Sequence, residues 1–518
     1  MIGVLRGLRH LLWLTRIALH LAQHDALFPF DGMRSLVWPR RMVRWLRPPR
    51  EEIAALRPGE RLALALQSLG PSFIKLGQML STRSDLLGEQ VAIDLSSLQD
   101  RLPPFPGLAA RRVIETALGG PIDLFYQDFD DLPVAAASVA QVHFATTTEG
   151  RAVAVKVLRP GIDQAFARDV DLLRWLAEKA EALLPDMRRL RPIEVVRELA
   201  RSVAFELDLR LEAAAASELA ENFADDPDFR VPAVDWQRTG REVLTLERVH
   251  GIPVDEREAL IAAGHDLPAI IGKAAAAFFR QVFRDGFFHA DLHPGNLFVA
   301  DDGAIVAIDF GIMGRLDRQH RYYIADMLMG FLGGDYRRVA EVHFAAGMVP
   351  PTESIADFTQ ACRSIGEPLL GRPLAEISVA RLLAQLFQIT RQFKMVTQPQ
   401  LLMLQKTMVL AEGMGRHLDP SINMWTLAQP LIEEWMLTHR GPQARVADLA
   451  ADAAAALERL PTLLSDLERM IGQVARGGLP LAADTVELLT RSNPTGRRLV
   501  WPLWIAALAL AALALGRF

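Results

Sequence analysis

Two hydrophobic periods alternate along the chain. Up to about residue 120, apolar positions recur at helical spacing, with breaks near Pro48, Pro71 and the LPPFPG stretch at 102–107. From LFYQDFDDLPVAAASVAQVHFATTTEGRAVAVKVLRPG the period shortens to two, predicting short strands separated by turns, with Glu149 and Gly150 as a hairpin turn. Within AVAVKVL, the side chains of Val153, Val155 and Val157 face one way and that of Lys156 the other. Residues 162–223 return to helix, two short strands are expected near 230–247, and a long helical segment precedes the loop FFHADLHPGN at 287–296. NLFVA and AIVAIDFG enclose that loop, and everything after about 317 is helical in pattern, without an internal repeat.

The two ends differ from the middle. MIGVLRGLRHLLWLTRIALHLAQH breaks its apolar run with Arg6, Arg9, His10, Arg16 and His20, so it lacks the core of a signal peptide. It reads as an amphipathic basic helix, suited equally to anionic lipid and to packing on the body. At the other end, LVWPLWIAALALAALALG (499–516) follows Arg497 and Arg498 as an uncharged run about long enough to span a bilayer. The preceding cations predict a tail anchor with the main body on the cytoplasmic side. The Ala-rich stretch before it suits either an amphipathic connection to the membrane or an ordinary packed helix pair.

Composition narrows the partners. With 518 residues the chain is too long for one core, and half of it is apolar. A formal net charge of −5 without a dense basic arm gives no case for nucleic acid. A single cysteine, Cys362, excludes an internal disulfide framework and a cysteine-based zinc site, and fits a reducing compartment.

The loop at 287–296 carries the chemistry. Asp291 stands five residues before Asn296 and eighteen before Asp309, which opens the tripeptide DFG. This is the order of a kinase-type phosphoryl-transfer site: a loop carboxylate for the nucleophile's proton, a loop amide for one magnesium ion, and a second carboxylate after a strand for the metal on the nucleotide. Lys156, on its strand after a hairpin, is the candidate cation for the phosphates. His289 and His293 are four apart with a proline following, which disfavours a helical metal-binding pair.

Six signatures then occur in order: KLGQ (Lys75 to Gln78), AAAS (Ala135, Ala136, Ala137, Ser138), AVKV around Lys156, ELD (Glu206 to Asp208), HADLHPGN and DFG. The set resembles the UbiB, or aarF-domain, family of atypical kinases across about residues 70–315. The resemblance implies ATP (or ADP) and Mg2+ as cofactors, with Asn296 and Asp309 on the metal and Ala135 to Ser138 on the nucleotide. It also implies Glu212 as the helix partner of Lys156, and Lys75 and Gln78 folded over the site toward Glu206 and Asp208. Lys75, Glu206, Asp208 and Asp291 thus form the implied catalytic group, with membrane lipids and ubiquinone precursors or ubiquinone-biosynthesis enzymes as implied partners. Three alanines where kinases carry glycines imply a stiffer phosphate loop. No Ala-Pro-Glu signature follows Asp309, so phosphorylation of proteins in trans is not expected.

The expected fold is α/β, a protein kinase-like bilobal fold with a helical N-terminal extension (1–120), an N-lobe (121–250), a helical C-lobe (251–440), a helical membrane-proximal region (441–498) and a C-terminal transmembrane helix (499–516). The expected function is that of an ATP- and Mg-dependent atypical kinase or ATPase at the inner membrane, supporting ubiquinone biosynthesis. Alternatives are a nucleotide-gated scaffold or lipid-handling module, and a small-molecule phosphotransferase, since HADLHPGN also resembles choline and aminoglycoside kinases.

Overall fold

The computed structural model describes residues 2–28, 53, 55–81, 88–96, 98, 102–183, 191–367, 388–390, 392–395, 399–420 and 424–440. Two compact units divide the chain, Met1–Trp435 and Met436–Phe518. Of the second, only the end of helix Met424–Arg440 is described. The membrane-proximal region at 441–498 and the anchor expected at 499–516 lie outside the described residues. Among the described residues, no helix is long and apolar enough to cross a membrane.

In the first unit, helices Ile2–Gln23, Pro58–Leu69, Pro71–Ser81, Glu89–Ser96 and Gly107–Leu118 precede the first strand. One face of the N-terminal helix goes to the body. Ile17 joins Leu62, Leu66, Phe73 and Leu172 in one core, and the buried His10 reaches Asp171 at 3.1 Å. Gly77 permits a close approach, because an added methyl would stand 2.4 Å from Leu98 and 2.8 Å from Leu66.

Strands β1 (Tyr126–Phe129), β2 (Ala135–Ala136), β3 (Ala140–Thr147), β4 (Ala152–Leu158) and β6 (Val243–Glu247) form an antiparallel sheet in the order β1-β3-β4-β6, with β2 added to β3. The turn between β3 and β4 falls at the predicted hairpin, with Gly150 at φ 82°, where a side chain would be strained. The alternation in β4 is as expected: Val153, Val155 and Val157 are buried under helix Gly107–Leu118 with Ile114, Tyr126 and Phe129. Burial of each such valine contributes roughly 1.5–3 kcal/mol relative to exposure, which fixes the strand's register and turns Lys156 to the opposite face. There Ala140, Leu158 and Leu244 pack against Phe166, Leu199, Leu209 and Ala213 from three helices, Ile162–Leu183, Pro192–Glu206 and Leu209–Asn222.

The helical run expected over 162–223 is therefore interrupted, and the break matters. Helix Pro192–Glu206 ends at Leu207, and Asp208 is the N-cap of the next helix, accepting from the Arg210 N–H at 3.2 Å. Asp208 and Glu212, four residues apart, therefore do not share one continuous helical face: the first caps the helix that carries the second. An aspartate at an N-cap satisfies one of the orphan amides of the new helix, a stronger local preference than continuing the old one.

The second half combines helix and short strands. Strands β5 (Phe229–Arg230), β10 (Ile305–Ala307), β9 (Leu297–Val299) and β7 (Ile252–Pro253) make a sheet in that order, and β8 (Phe287–His289) pairs with β11 (Met313–Arg315). Helix Leu267–Phe279 widens into a π-helical turn, Arg280–Asp285, immediately before β8. Helices Arg318–Leu332, Tyr336–Ala345, Ile355–Gly366, Pro399–Leu418 and Met424–Arg440 follow, in keeping with the helical pattern after 317.

Candidate active site

Lys156 is the centre of a three-residue charge cluster. Its Nζ lies 2.8 and 3.0 Å from the two oxygens of Glu212 and 2.9 Å from Asp309 Oδ1. The hairpin delivers the lysine, helix Leu209–Asn222 the glutamate, and the segment after β10 the aspartate, so three separate elements converge. One cation between two carboxylates leaves the cluster one negative charge in excess. Burial acts to lower Lys156, but Asp309 and Glu212 outweigh it and hold the ammonium charged well above the usual lysine range. The Lys156 charge in turn holds Asp309 well below the usual carboxylate range. Glu212 bears the excess: burial, with Asp309 adding to it, pushes the carboxyl up to about 7 against the pull of Lys156.

Asp309 is held in a left-handed conformation, φ 62°, which asparagine and aspartate tolerate better than other side chains. This bend turns a half-exposed carboxylate toward Lys156. Gly311 keeps the adjoining space open, since a methyl there would stand 3.4 Å from Asp309 Oδ1 and 3.9 Å from Glu212 Oε2.

The two histidines of the loop are scaffolding. His289 is fully buried in β8; its Nδ1 accepts from the Asp291 N–H at 3.1 Å and its Nε2 donates to the Ile308 carbonyl at 3.3 Å. Burial depresses its pKa and keeps the ring neutral, which suits one nitrogen donating while the other accepts. His289 thereby ties the Asp291 loop to the backbone next to Asp309. Beneath it, the π-helical turn sets the buried Gln281 so that its Oε1 accepts from the His289 N–H at 2.9 Å. His293 caps a short turn by accepting from the Gly295 N–H at 3.1 Å. Asn296, buried in that turn, donates from Nδ2 to the Asp291 carbonyl at 3.2 Å, which leaves its Oδ1 as the atom to offer a cation.

Asp291 itself has a partner that the motif order does not disclose. Lys406, on helix Pro399–Leu418, places Nζ 2.7 Å from Asp291 Oδ1. Its only signal in the sequence is isolation, as the one charged residue between Lys394 and Glu412.

The KLGQ and ELD residues divide. Lys75 pairs with Glu206 at 2.7 Å, both side chains largely buried. Asp208 instead takes a bidentate contact from Arg210 at 2.8 and 2.6 Å. Gln78 is half-buried on the same helix as Lys75. The AAAS segment is not a free loop: Ala135 and Ala136 pair with Val142 and Gln141 as β2, and the Ala137 N–H donates to the Ala140 carbonyl at 2.8 Å across the turn. Arg159 clamps that turn from outside, donating to the Ala137 carbonyl at 3.1 and 2.7 Å. The hairpin holds Ser138 Oγ buried without a hydrogen-bond partner among the described residues.

The oxygen donors present, a charged Asp309 carboxylate and the Asn296 amide oxygen, suit a hard cation such as magnesium. The excess negative charge of the Lys156 cluster and the space beside Gly311 fit the same group.

Comparison with known proteins places the chain in a family. Residues 97–343 match the model of the ABC1 atypical kinase-like domain, and residues 362–423 match the UbiB helical domain. The chain is 42% identical over 465 residues to a protein of Marinobacter nauticus named "Probable protein kinase UbiB", covering 89% of this chain and 85% of that one. The chain belongs to the UbiB family. A second member of the same name, from Aeromonas hydrophila, is 44% identical over 435 residues, covering 82% and 79%. A solved structure from Mycobacterium tuberculosis, of Rv3197 with erythromycin, is 27% identical, covers 69% of this chain and 90% of that one, and has a TM-score of 0.48. Within this UbiB-family chain, Lys156, Glu212, Asp291, Asn296 and Asp309 fall in the kinase-like domain, whereas Lys406 comes from the helical one.

Proposed function

We propose that the chain is an ATP- and Mg2+-dependent atypical kinase or ATPase that supports ubiquinone biosynthesis at a membrane. The observation that carries the reading is the Lys156 cluster, in which one cation stands between Glu212 and Asp309 at 2.8 and 2.9 Å and the second carboxylate is half-exposed. A purely structural ion pair has no use for a second, strained carboxylate. A nucleotide does, because its phosphates take the lysine and its metal takes the carboxylate. Asn296 and Asp309 would hold magnesium, which neutralises charge developing on the transferring phosphoryl group. Lys156 binds and orients phosphate, Glu212 keeps that lysine in place, and Asp291 accepts the proton of the attacking hydroxyl or orients water. The alanine hairpin covers the nucleotide.

The name of the relatives, UbiB, supports a place in ubiquinone biosynthesis, and the apolar run at 499–516 supports attachment to the inner membrane. The acceptor class we favour is a lipid-soluble precursor rather than a protein. Purified protein with Mg2+ and ATP, given anionic liposomes and a phenolic quinone precursor, is expected to release phosphate faster than without them. Nucleotide binding with no release under any condition would leave the scaffold reading in its place. For the anchor, removal of residues 499–518 should move the body from the membrane to the soluble fraction. Full retention would count against the tail and point to helix Ile2–Gln23.

A further inference from the structure

Phosphoryl transfer disperses negative charge over the oxygens of the transferred group, and such sites commonly bring a cation to it from outside the nucleotide-binding core. Here the core supplies Lys156, already committed to Glu212 and Asp309. The Asp291 loop brings no cation of its own: the Nδ1 of His293 accepts the Gly295 N–H, which commits that ring to the turn. A second ammonium nevertheless stands at the loop, because Lys406 pairs with Asp291 at 2.7 Å.

Its setting argues against a casual surface contact. Lys406 lies in an otherwise uncharged stretch of helix Pro399–Leu418, whose Leu404, Thr407, Ala411 and Met414 are buried. Packing of that face fixes the helix, and so fixes where the lysine emerges. Asp291 is held equally firmly, through its N–H by His289 and through its carbonyl by Asn296. Two anchored elements therefore present the pair, and the lysine side chain remains half-exposed, with room to move from carboxylate to substrate.

Resting on the phosphoryl-transfer reading above, we propose that Lys406 is a substrate-contacting residue of this site, supplied in cis by the helical domain. It holds Asp291 while the site lacks nucleotide and contacts the terminal phosphoryl group of a bound nucleoside triphosphate. The helical domain is then part of the active site, and a triphosphate is distinguished from a diphosphate by it.

The full chain and its Lys406→Met and Lys406→Arg variants would be titrated with ADP and with a non-hydrolysable ATP analogue, each with Mg2+. Lys406→Met is expected to weaken the triphosphate analogue by roughly 10- to 100-fold, the effect of losing one hydrogen bond between charged groups, and to leave ADP unchanged. Lys406→Arg, which keeps the charge, should recover most of the difference. Equal affinities of parent and Lys406→Met for the analogue, or equal weakening of both nucleotides, would overturn the assignment. So would faster phosphate release by Lys406→Met, which would make the pair an inhibitory latch. A parent chain that binds neither nucleotide would instead bring down the phosphoryl-transfer reading, and this assignment with it.

Discussion

Asp309→Asn is expected to lower Mg2+- and ATP-dependent phosphate release by about a thousandfold while leaving the protein folded. The size follows from removing a charged ligand of the metal that would neutralise the charge developing on the phosphoryl group, a loss comparable to that of other preorganised electrostatic groups. The choice of asparagine follows from the backbone. Asp309 sits at φ 62°, and asparagine accepts that region nearly as well as aspartate, so the variant changes charge without adding strain. Asp309→Ala would confound the two, since a side chain without local hydrogen-bonding capacity carries a penalty of about 1–2 kcal/mol there.

The same substitution has a second, independent readout. With Asp309 neutral, Lys156 pairs with Glu212 alone, and the excess negative charge disappears. The melting temperature should stay close to that of the parent, while the stabilisation given by Mg2+ with ATP falls away. Turnover undiminished in Asp309→Asn would remove Asp309 from the metal site and with it the kinase-type reading of the DFG segment.

Much of this site is legible from residue order because its parts are local. Val153, Val155 and Val157 announce the buried face of a strand, so the opposite orientation of Lys156 follows from the pleat alone. The spacing of Asp291, Asn296 and Asp309 survives folding because a short hairpin, β9 to β10, joins them. What cannot be read is set by tertiary pairing. Ala135 and Ala136 have poor strand propensity, yet the exposed edge of β3 recruits them. The break at Leu207 and Asp208 carries neither glycine nor proline, although an aspartate before an amphipathic run is a recognisable helix start. Lys406 lies 115 residues from Asp291, and no local pattern encodes that meeting. The histidines show the converse: their density suggests chemistry, whereas the structure uses both to hold the loop in shape.

Lys156→Met separates the energetic role of the lysine from its catalytic one. Truncation strands Glu212 and Asp309 against one another, and breaking a buried pair from one side costs about 3 kcal/mol because the remaining charge is left unpaired. The cost should depend on pH in a defined direction. Glu212 already has a folded-state pKa of about 7, above its ordinary value of 4.5. A raised carboxyl contributes stability that is present below 4.5 and lost as pH rises through 7. Without Lys156 that loss deepens, so the variant should lie closest to the parent near pH 5 and furthest from it near pH 8. Denaturant titrations at both values measure the difference, and the double variant Lys156→Met/Glu212→Gln should recover most of the stability and lose the added slope. A deficit equal at the two pH values would assign the loss to packing around the methylene stem rather than to charge. The double variant then isolates function: folded, and without the Lys156 contact to the phosphates, it should show much reduced stabilisation by nucleotide. The cluster is in that case kept for what it binds, since a neutral pair serves the fold as well.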